Sequence, residues 1–295
     1  MDPFVVLITV LVLLALLLGI GVWVGLSLFA VAIISLALFR SMPVEQLLAQ
    51  LTYNTVTTPE MVALPMFILM AEILFHTRLS ASLFKGLSPW TNKLPGRMVH
   101  VNVLGCTLFA AISGSSAATA TTVGRITLSE LFKRGYDKDL VIGSLAGAGT
   151  LGFLIPPSII LIIYGVLSET SILKLFIAGI VPGLILALGF MGYLAIRATL
   201  NPSLIPSEDI NPTWRDRLNG LVDLGPVVFL ILLVLGSMYA GFASPSEAAA
   251  VGVLGAVLVS AAQKTLSWKT IRMACLSAVR TTSMIALIVA GAVFL

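Results

Sequence analysis

A length of 295 residues with 58% hydrophobic and only 10% charged residues, against ~25% charge in a soluble domain, excludes an ordinary water-soluble globule. With a mean hydropathy of +1.08 the chain reads as an all-α polytopic membrane protein. The net charge of +4 collects in predicted loops, and no basic patch with interleaved aromatics points to nucleic acid as a partner.

Residues 4–39 are apolar over ~54 Å of helix, too long for one ordinary crossing. Gly19-Ile20-Gly21 divides them into spans 4–19 and 21–39, with one long tilted helix as the rival reading. No small-residue cleavage site follows, so the run is read as membrane span and not as a removed signal peptide. Arg40 marks its end. Residues 44–57 are amphipathic and too polar to span, which suits a connector helix. Thr58-Pro59-Glu60 reads as a helix start, with Thr58 as cap, and opens a third span over 59–77. Residues 79–94 make a second amphipathic connector, with Trp90 as an interface anchor.

The next apolar stretch, 97–132, has Lys93 and Arg97 before it and Lys133, Arg134 and Lys138 after it. Basic residues accumulate on the cytoplasmic face, so both flanks lie on one side. About 36 residues are too few for two crossings of ~20 residues and a turn. The turn signal is the central run Ser113-Gly114-Ser115-Ser116-Ala117-Ala118-Thr119, which predicts a re-entrant hairpin with its tip near the midplane. An unwound turn at that depth survives only in a wet cavity or buried in protein. Gly114 exposes carbonyls, and Ser115, Ser116 and Thr119 add hydroxyls. Such neutral oxygens suit a sodium ion, and the helix N-terminus that follows suits an anion. Tight helix packing accounts for the same small residues equally well.

After a loop at 133–139, an apolar segment over 140–155 carries Gly143, Gly147, Gly149 and Gly152 and ends at Leu154-Ile155-Pro156-Pro157-Ser158. Two consecutive prolines stop one half-helix, and Pro157 can open the next, over 158–168. This discontinuous span should meet the hairpin tip; a proline kink without a ligand is the plainer alternative. A span over 171–196 returns to Arg197, and a polar loop over 198–220 precedes spans 221–240 and 247–262. A basic connector at 264–280 leads to an apolar run at 281–295. Span, span, connector, span at 4–77 thus matches the order from 221 onward, and Thr57-Thr58 aligns with Thr281-Thr282, as in inverted-repeat transporters. A partner for the Gly114 hairpin would fall beyond Leu295, which predicts that the chain is a fragment lacking most of its second repeat.

Other chemistry is sparse. The chain has no GxxxxGK[ST] loop, so any pumping would draw on an ion gradient. Cys106 and Cys275 read as small packing residues, and His76 and His100 are too few for a metal site. Arg125 lies nine residues after Ser116, ~13 Å along the helix, where it can attract a carboxylate, snorkel, or pair with Glu130. Glu72 and His76 read as a helix-end pair, and Glu60 and Glu247 as helix-start residues. An intramembrane serine hydrolase needs a base beside Ser113–Ser115, and His100 is ~22 Å away along a helix. A channel needs a continuous polar pore, whereas the polar residues here gather at one depth.

In order, Gly114-Ser115-Ser116-x-Ala118-Thr119, Arg134-Gly135-Tyr136, Gly149-Thr150-Leu151-Gly152-x-Leu154-Ile155-Pro156-Pro157-Ser158, Tyr164-Gly165, Leu175-Phe176-x-Ala178-Gly179-x-x-Pro182-Gly183 and Ser246-Glu247-Ala248-Ala249-Ala250-Val251-Gly252 resemble the large membrane subunit of the tripartite ATP-independent periplasmic transporters. The resemblance covers essentially the whole chain. It implies a non-enzymatic permease of the bacterial inner membrane for sodium-driven import of organic acids, with an elevator motion of a transport domain against a scaffold. It also implies two partners, a small four-helix membrane subunit and a periplasmic binding protein, and no cofactor other than sodium as coupling ion. On matching positions the sodium site would use Ser113, Gly114, Ser115, Ser116, Gly149, Gly152, Ile155 and Pro156. The substrate candidates are Thr119, Pro157, Ser158 and Arg125. The implied division is scaffold and connectors at 1–96, hairpin and broken helix at 97–168, span and linker at 169–220, and the start of an incomplete second inverted repeat at 221–295. An ion-coupled carboxylate permease that needs no binding protein is the alternative within transport.

Overall fold

The computed structural model describes residues 3–39, 43–77, 79–206 and 212–295, and every regular element among them is a helix. The predicted end at Arg40 lies outside the described residues. Among the described residues there are thirteen α-helices: α1 Pro3–Gly19, α2 Val24–Phe39, α3 Val44–Val56, α4 Pro59–Phe75, α5 Leu79–Thr91, α6 His100–Ser113, α7 Ser116–Lys133, α8 Lys138–Gly149, α9 Ile159–Leu167, α10 Ile172–Leu200, α11 Trp214–Tyr239, α12 Pro245–Ala262 and α13 Trp268–Phe294. Four of them, α10 to α13, are long and apolar enough to cross a membrane, and α1 and α2 are shorter apolar helices. Gly21, at φ +90°, lies in the predicted break between α1 and α2. The chain is an all-α, multi-pass membrane protein.

It divides into two compact units. The first takes the chain up to Val62 together with Ala278–Leu295. Here the end of α13 packs on α2 through glycines: a Cβ on Gly25 would lie 2.8 Å from the Leu287 side chain, and one on Gly291 3.0 Å from Leu28. Phe29 and Phe294 stack beside them at 6.0 Å. Close approach over small residues is how helices associate where lipid removes the hydrophobic drive. No residue of α1 is fully buried, and it packs on α2 through half-buried residues.

The second unit is Ala63–Ser277. Its core is α6, eleven of whose fourteen residues are buried, against α5, α7, α8, α10 and α11. Only the stripe Leu104, Thr107 and Leu108 of α6 is half-buried, so it is a core helix with one partly open face. Connector α5 crosses α11 at paired glycines, where a Cβ on Gly220 would lie 2.7 Å from the Gly86 carbonyl oxygen. Lys85 and Asp223 add an exposed ion pair at 3.3 Å, which contributes little in water. Gly252 of α12 admits Met70 and Val234, and Phe67 meets Phe176 edge-on at 6.3 Å.

Several boundaries differ from the sequence reading. Helix α11 starts at Trp214, inside the predicted polar loop, because Thr213 and Asp216 form a reciprocal capping box. The Thr-x-x-Asp spacing was the available signal. Connector 264–280 and the run from 281 are one helix, α13. Thr57-Thr58 is followed by Pro59, which lacks an N–H and restricts the residue before it, whereas Thr281-Thr282 has no proline after it. The Thr58 hydroxyl donates back to the Thr55 carbonyl at 3.1 Å. Pro157 does not open α9, which begins at Ile159 behind Ser158. Cys106 is buried but Cys275 is exposed, so only the former packs as expected. The helix-start role of Glu247 is explicit: its carboxylate accepts from the Ser244 N–H at 2.8 Å.

Candidate functional site

Helices α6 and α7 form an antiparallel hairpin, with Ser113 opposite Thr119 near the turn and Gly105 opposite Val123 farther down. Gly114 ends α6 in the left-handed conformation, φ +59°, and its N–H donates to the Ala110 carbonyl at 3.0 Å. Ser115 then turns extended and caps α7, its hydroxyl accepting from the Ala118 N–H at 3.4 Å. The buried Ser113 and Thr119 hydroxyls bond to each other at 2.8 Å across the turn.

The second break follows the same plan. Helix α8 tightens into a 3-10 turn over Thr150–Phe153, the chain then runs unwound through a cis Pro156–Pro157 peptide, and Ser158 caps α9. The Ser158 hydroxyl also donates to the Phe153 carbonyl at 2.7 Å, and the residue is completely buried.

The two breaks cross. The Gly114 carbonyl accepts the Ile159 N–H at 3.1 Å, so the hairpin tip satisfies the first free amide of α9. A Cβ on Gly114 would lie 2.5 Å from the Pro157 carbonyl oxygen, and one on Gly152 2.8 Å from the Ser115 carbonyl carbon. Gly149 is held as closely, against Ala120 at 2.8 Å. Gly114, Gly149 and Gly152 are therefore the contact surfaces of the crossing. On its far side α10 closes over the unwound segment: a Cβ on Gly179 would stand 2.6 Å from the Leu154 oxygen, and one on Gly183 2.9 Å from the Ile155 side chain.

The arrangement has an electrostatic consequence. Helices α6 and α8 deliver C-terminal ends to the crossing, and α7 and α9 deliver N-terminal ends. A helix carries about half a positive charge at its N-terminus and half a negative charge at its C-terminus. One small volume thus holds carbonyl-rich, negative ends beside amide-rich, positive ends, fit for a cation and an anion side by side.

Of the sequence candidates, the structure brings together Ser113, Gly114, Ser115, Ser116 and Thr119 with Gly149, Gly152, Pro157 and Ser158. Ile155 and Pro156 are buried in the unwound segment, with Ile155 against α10. Arg125 is elsewhere: exposed on α7, it lies over the Phe75 ring at 4.7 Å, and His76 meets that ring edge-on. Glu130 pairs with Arg134 at 3.9 Å and not with Arg125. The His100 Nε2 is 2.6 Å from the Pro95 carbonyl, away from the serines.

Sequence reasoning missed two supports. Gly179 and Gly183 appear in the motif, but only the fold shows that they let α10 approach the broken backbone. Asn102, fully buried, ties α6 to α8 by donating to Ser144 Oγ at 2.8 Å and to the Val141 carbonyl at 3.2 Å. An asparagine amid the apolar residues of 97–113 was the signal for it.

Comparison with known proteins fits this geometry. Residues 11–295 match the family model described as the tripartite ATP-independent periplasmic transporter, DctM component. Among similar proteins is an ectoine/5-hydroxyectoine TRAP transporter large permease from Ruegeria pomeroyi, 34% identical over 76% of this chain and 52% of its own length. A C4-dicarboxylate TRAP transporter large permease from Vibrio cholerae is 32% identical over 66% of this chain and 42% of its own. A sialic acid TRAP transporter permease from Haemophilus influenzae is 30% identical over 91% of this chain and 43% of its own. The chain spans about half the length of the curated relatives it matches. With its apolar helices, this similarity places it in the bacterial inner membrane. The chain belongs to the DctM component family of the tripartite ATP-independent periplasmic transporters.

Proposed function

We propose that this chain carries the first half of the ion and substrate site of a permease that imports organic acid anions on a sodium gradient. The observation behind the reading is the crossing of two broken helices at Gly114 and Pro157–Ile159, with opposite helix ends in one place. Sodium would take carbonyl and hydroxyl oxygens from Ser113–Ser116 and from the segment Gly149–Pro156. A carboxylate would approach the amide ends of α7 and α9 near Thr119, Pro157 and Ser158. Arg125, parked on Phe75, would act from the approach path and not from the centre. The cation draws the two breaks together and lowers the cost of placing an anion beside them, which couples the fluxes.

In this reading the hairpin and broken helix (97–168) move as a transport domain against scaffold elements from 1–96. Residues 169–220 connect them to a second, inverted repeat that begins at 221. A periplasmic binding protein delivers the substrate and a small four-helix membrane subunit braces the scaffold. The relatives named for ectoine, C4-dicarboxylates and sialic acid support an organic acid as cargo.

The test is uptake into proteoliposomes at varied sodium concentration, with Ser115→Ala and Ser116→Ala. A rise in the sodium concentration for half-maximal uptake is the expected result; unchanged sodium dependence in both variants removes the tip from the site. Uptake that proceeds without an added binding protein would favour the receptor-independent permease.

A further inference from the structure

We propose that a cavity between α8 and α10 binds one zwitterionic phospholipid with a primary ammonium headgroup, of the phosphatidylethanolamine type. This site is separate from the crossing and does not depend on the transport reading.

The cavity measures about 660 Å³. Helix α8 lines it with residues three and four apart, from Asp137 through Leu140 and Ser144 to Gly147, which form one face. Helix α10 faces it with Phe190, Leu194 and Arg197, again one face. The two run antiparallel. At the inner end a Cβ on Gly147 would touch Phe190 at 3.3 Å, and at the outer end the Asp137 N–H donates to the Leu204 carbonyl at 3.1 Å.

Polarity is graded along this groove. The outer end carries Asp137 and Asp139, Arg197 and then Tyr193 follow along α10, and the inner end is formed by Gly147 and Phe190; nothing lies within 4 Å of the Gly143 Cβ position. From residue 137 to 147 is ~15 Å of helix, half of the ~30 Å hydrocarbon core and hence the depth of one leaflet. The outer end adjoins Lys133, Arg134 and Lys138, which assigns it to the cytoplasmic leaflet.

Width selects the occupant. A volume of 660 Å³ over that length leaves a mean cross-section of ~44 Å², about half that of an α-helix ~10 Å across. A groove of that section suits an acyl chain. Charge selects the headgroup. Among the described residues none of Asp137, Asp139 and Arg197 forms an ion pair, and Asp137 spends one oxygen on the Leu140 N–H at 2.9 Å. Arg197 offers a planar donor fork to a phosphate, and the carboxylates offer acceptors to an ammonium with N–H bonds. A purely anionic headgroup would satisfy Arg197 and meet two unpaired carboxylates. A quaternary ammonium has no N–H to give.

The experiment is native mass spectrometry of the delipidated chain in detergent, titrated with phosphatidylethanolamine, phosphatidylglycerol or phosphatidylcholine. One phosphatidylethanolamine should be retained at least tenfold more strongly than either of the others. Gly143→Leu, which fills the groove, should cut that retention at least fivefold at an unfolding temperature no lower than that of the wild type. Two exposed variants guard against misfolding: Arg197→Gln should lose the lipid, and Asp139→Asn should narrow the preference over phosphatidylglycerol. Equal retention of all three lipids overturns the proposal, as does wild-type retention by Gly143→Leu and Arg197→Gln.

Discussion

At Gly114 two independent constraints coincide, a φ of +59° and a neighbouring carbonyl oxygen 2.5 Å from where a side chain would begin. An alanine there takes on a left-handed conformation costing ~1 kcal/mol and also displaces backbone, which cannot rotate away. We expect Gly114→Ala to lose ~2 kcal/mol or more, measured by unfolding in detergent. Gly143→Ala is the matched control: in a helix with open space at its Cβ, it should gain ~0.5–1 kcal/mol. Ser113→Ala removes the partner of the buried Thr119 hydroxyl and should cost ~1 kcal/mol in sodium-free buffer, where no ion contributes. Gly114 was legible in the sequence because glycine is the residue that ends a helix this way. Asn102 was not, because its partner Ser144 lies on another helix, and no local spacing reports which helices will touch.

Helices were legible where a residue with a backbone signature marks their ends. Gly21, Pro59, Gly114 and the Pro156-Pro157 pair all fall in or beside breaks that are present. Ends inferred from polarity alone fared worse. A drop in hydropathy does not stop a helix, so α13 runs through the predicted junction at Thr281-Thr282, and α11 begins seven residues before its apolar part. The difference between the Thr57-Thr58 and Thr281-Thr282 junctions is one proline, and it can be supplied. Thr282→Pro should break α13, with a cost of ~3 kcal/mol or more and a loss of helical signal in circular dichroism. If helicity and stability stay unchanged, Pro59 is not what divides α3 from α4.

For the molecule as a whole, a bound ion is a stabiliser by mass action, worth ~1.4 kcal/mol at ten times its dissociation constant. Sodium, but not potassium at equal ionic strength, should therefore raise the unfolding temperature of the purified chain, and Ser116→Ala should abolish the difference. Equal shifts with both salts would mean that this half-length chain holds no sodium site of its own. The family was legible because its motifs lie at the breaks and glycine contacts that the fold requires. The cargo was not, because helix ends of the kind proposed to hold a carboxylate do not read the rest of the molecule that bears it. The enclosure of α6 carries one more consequence. A flap must have an open flank to swing into, and eleven of the fourteen residues of α6 are buried, with five other helices packed on it. In the proposed transport reading, the Gly114 tip would then travel together with its neighbours and not lift alone like a lid.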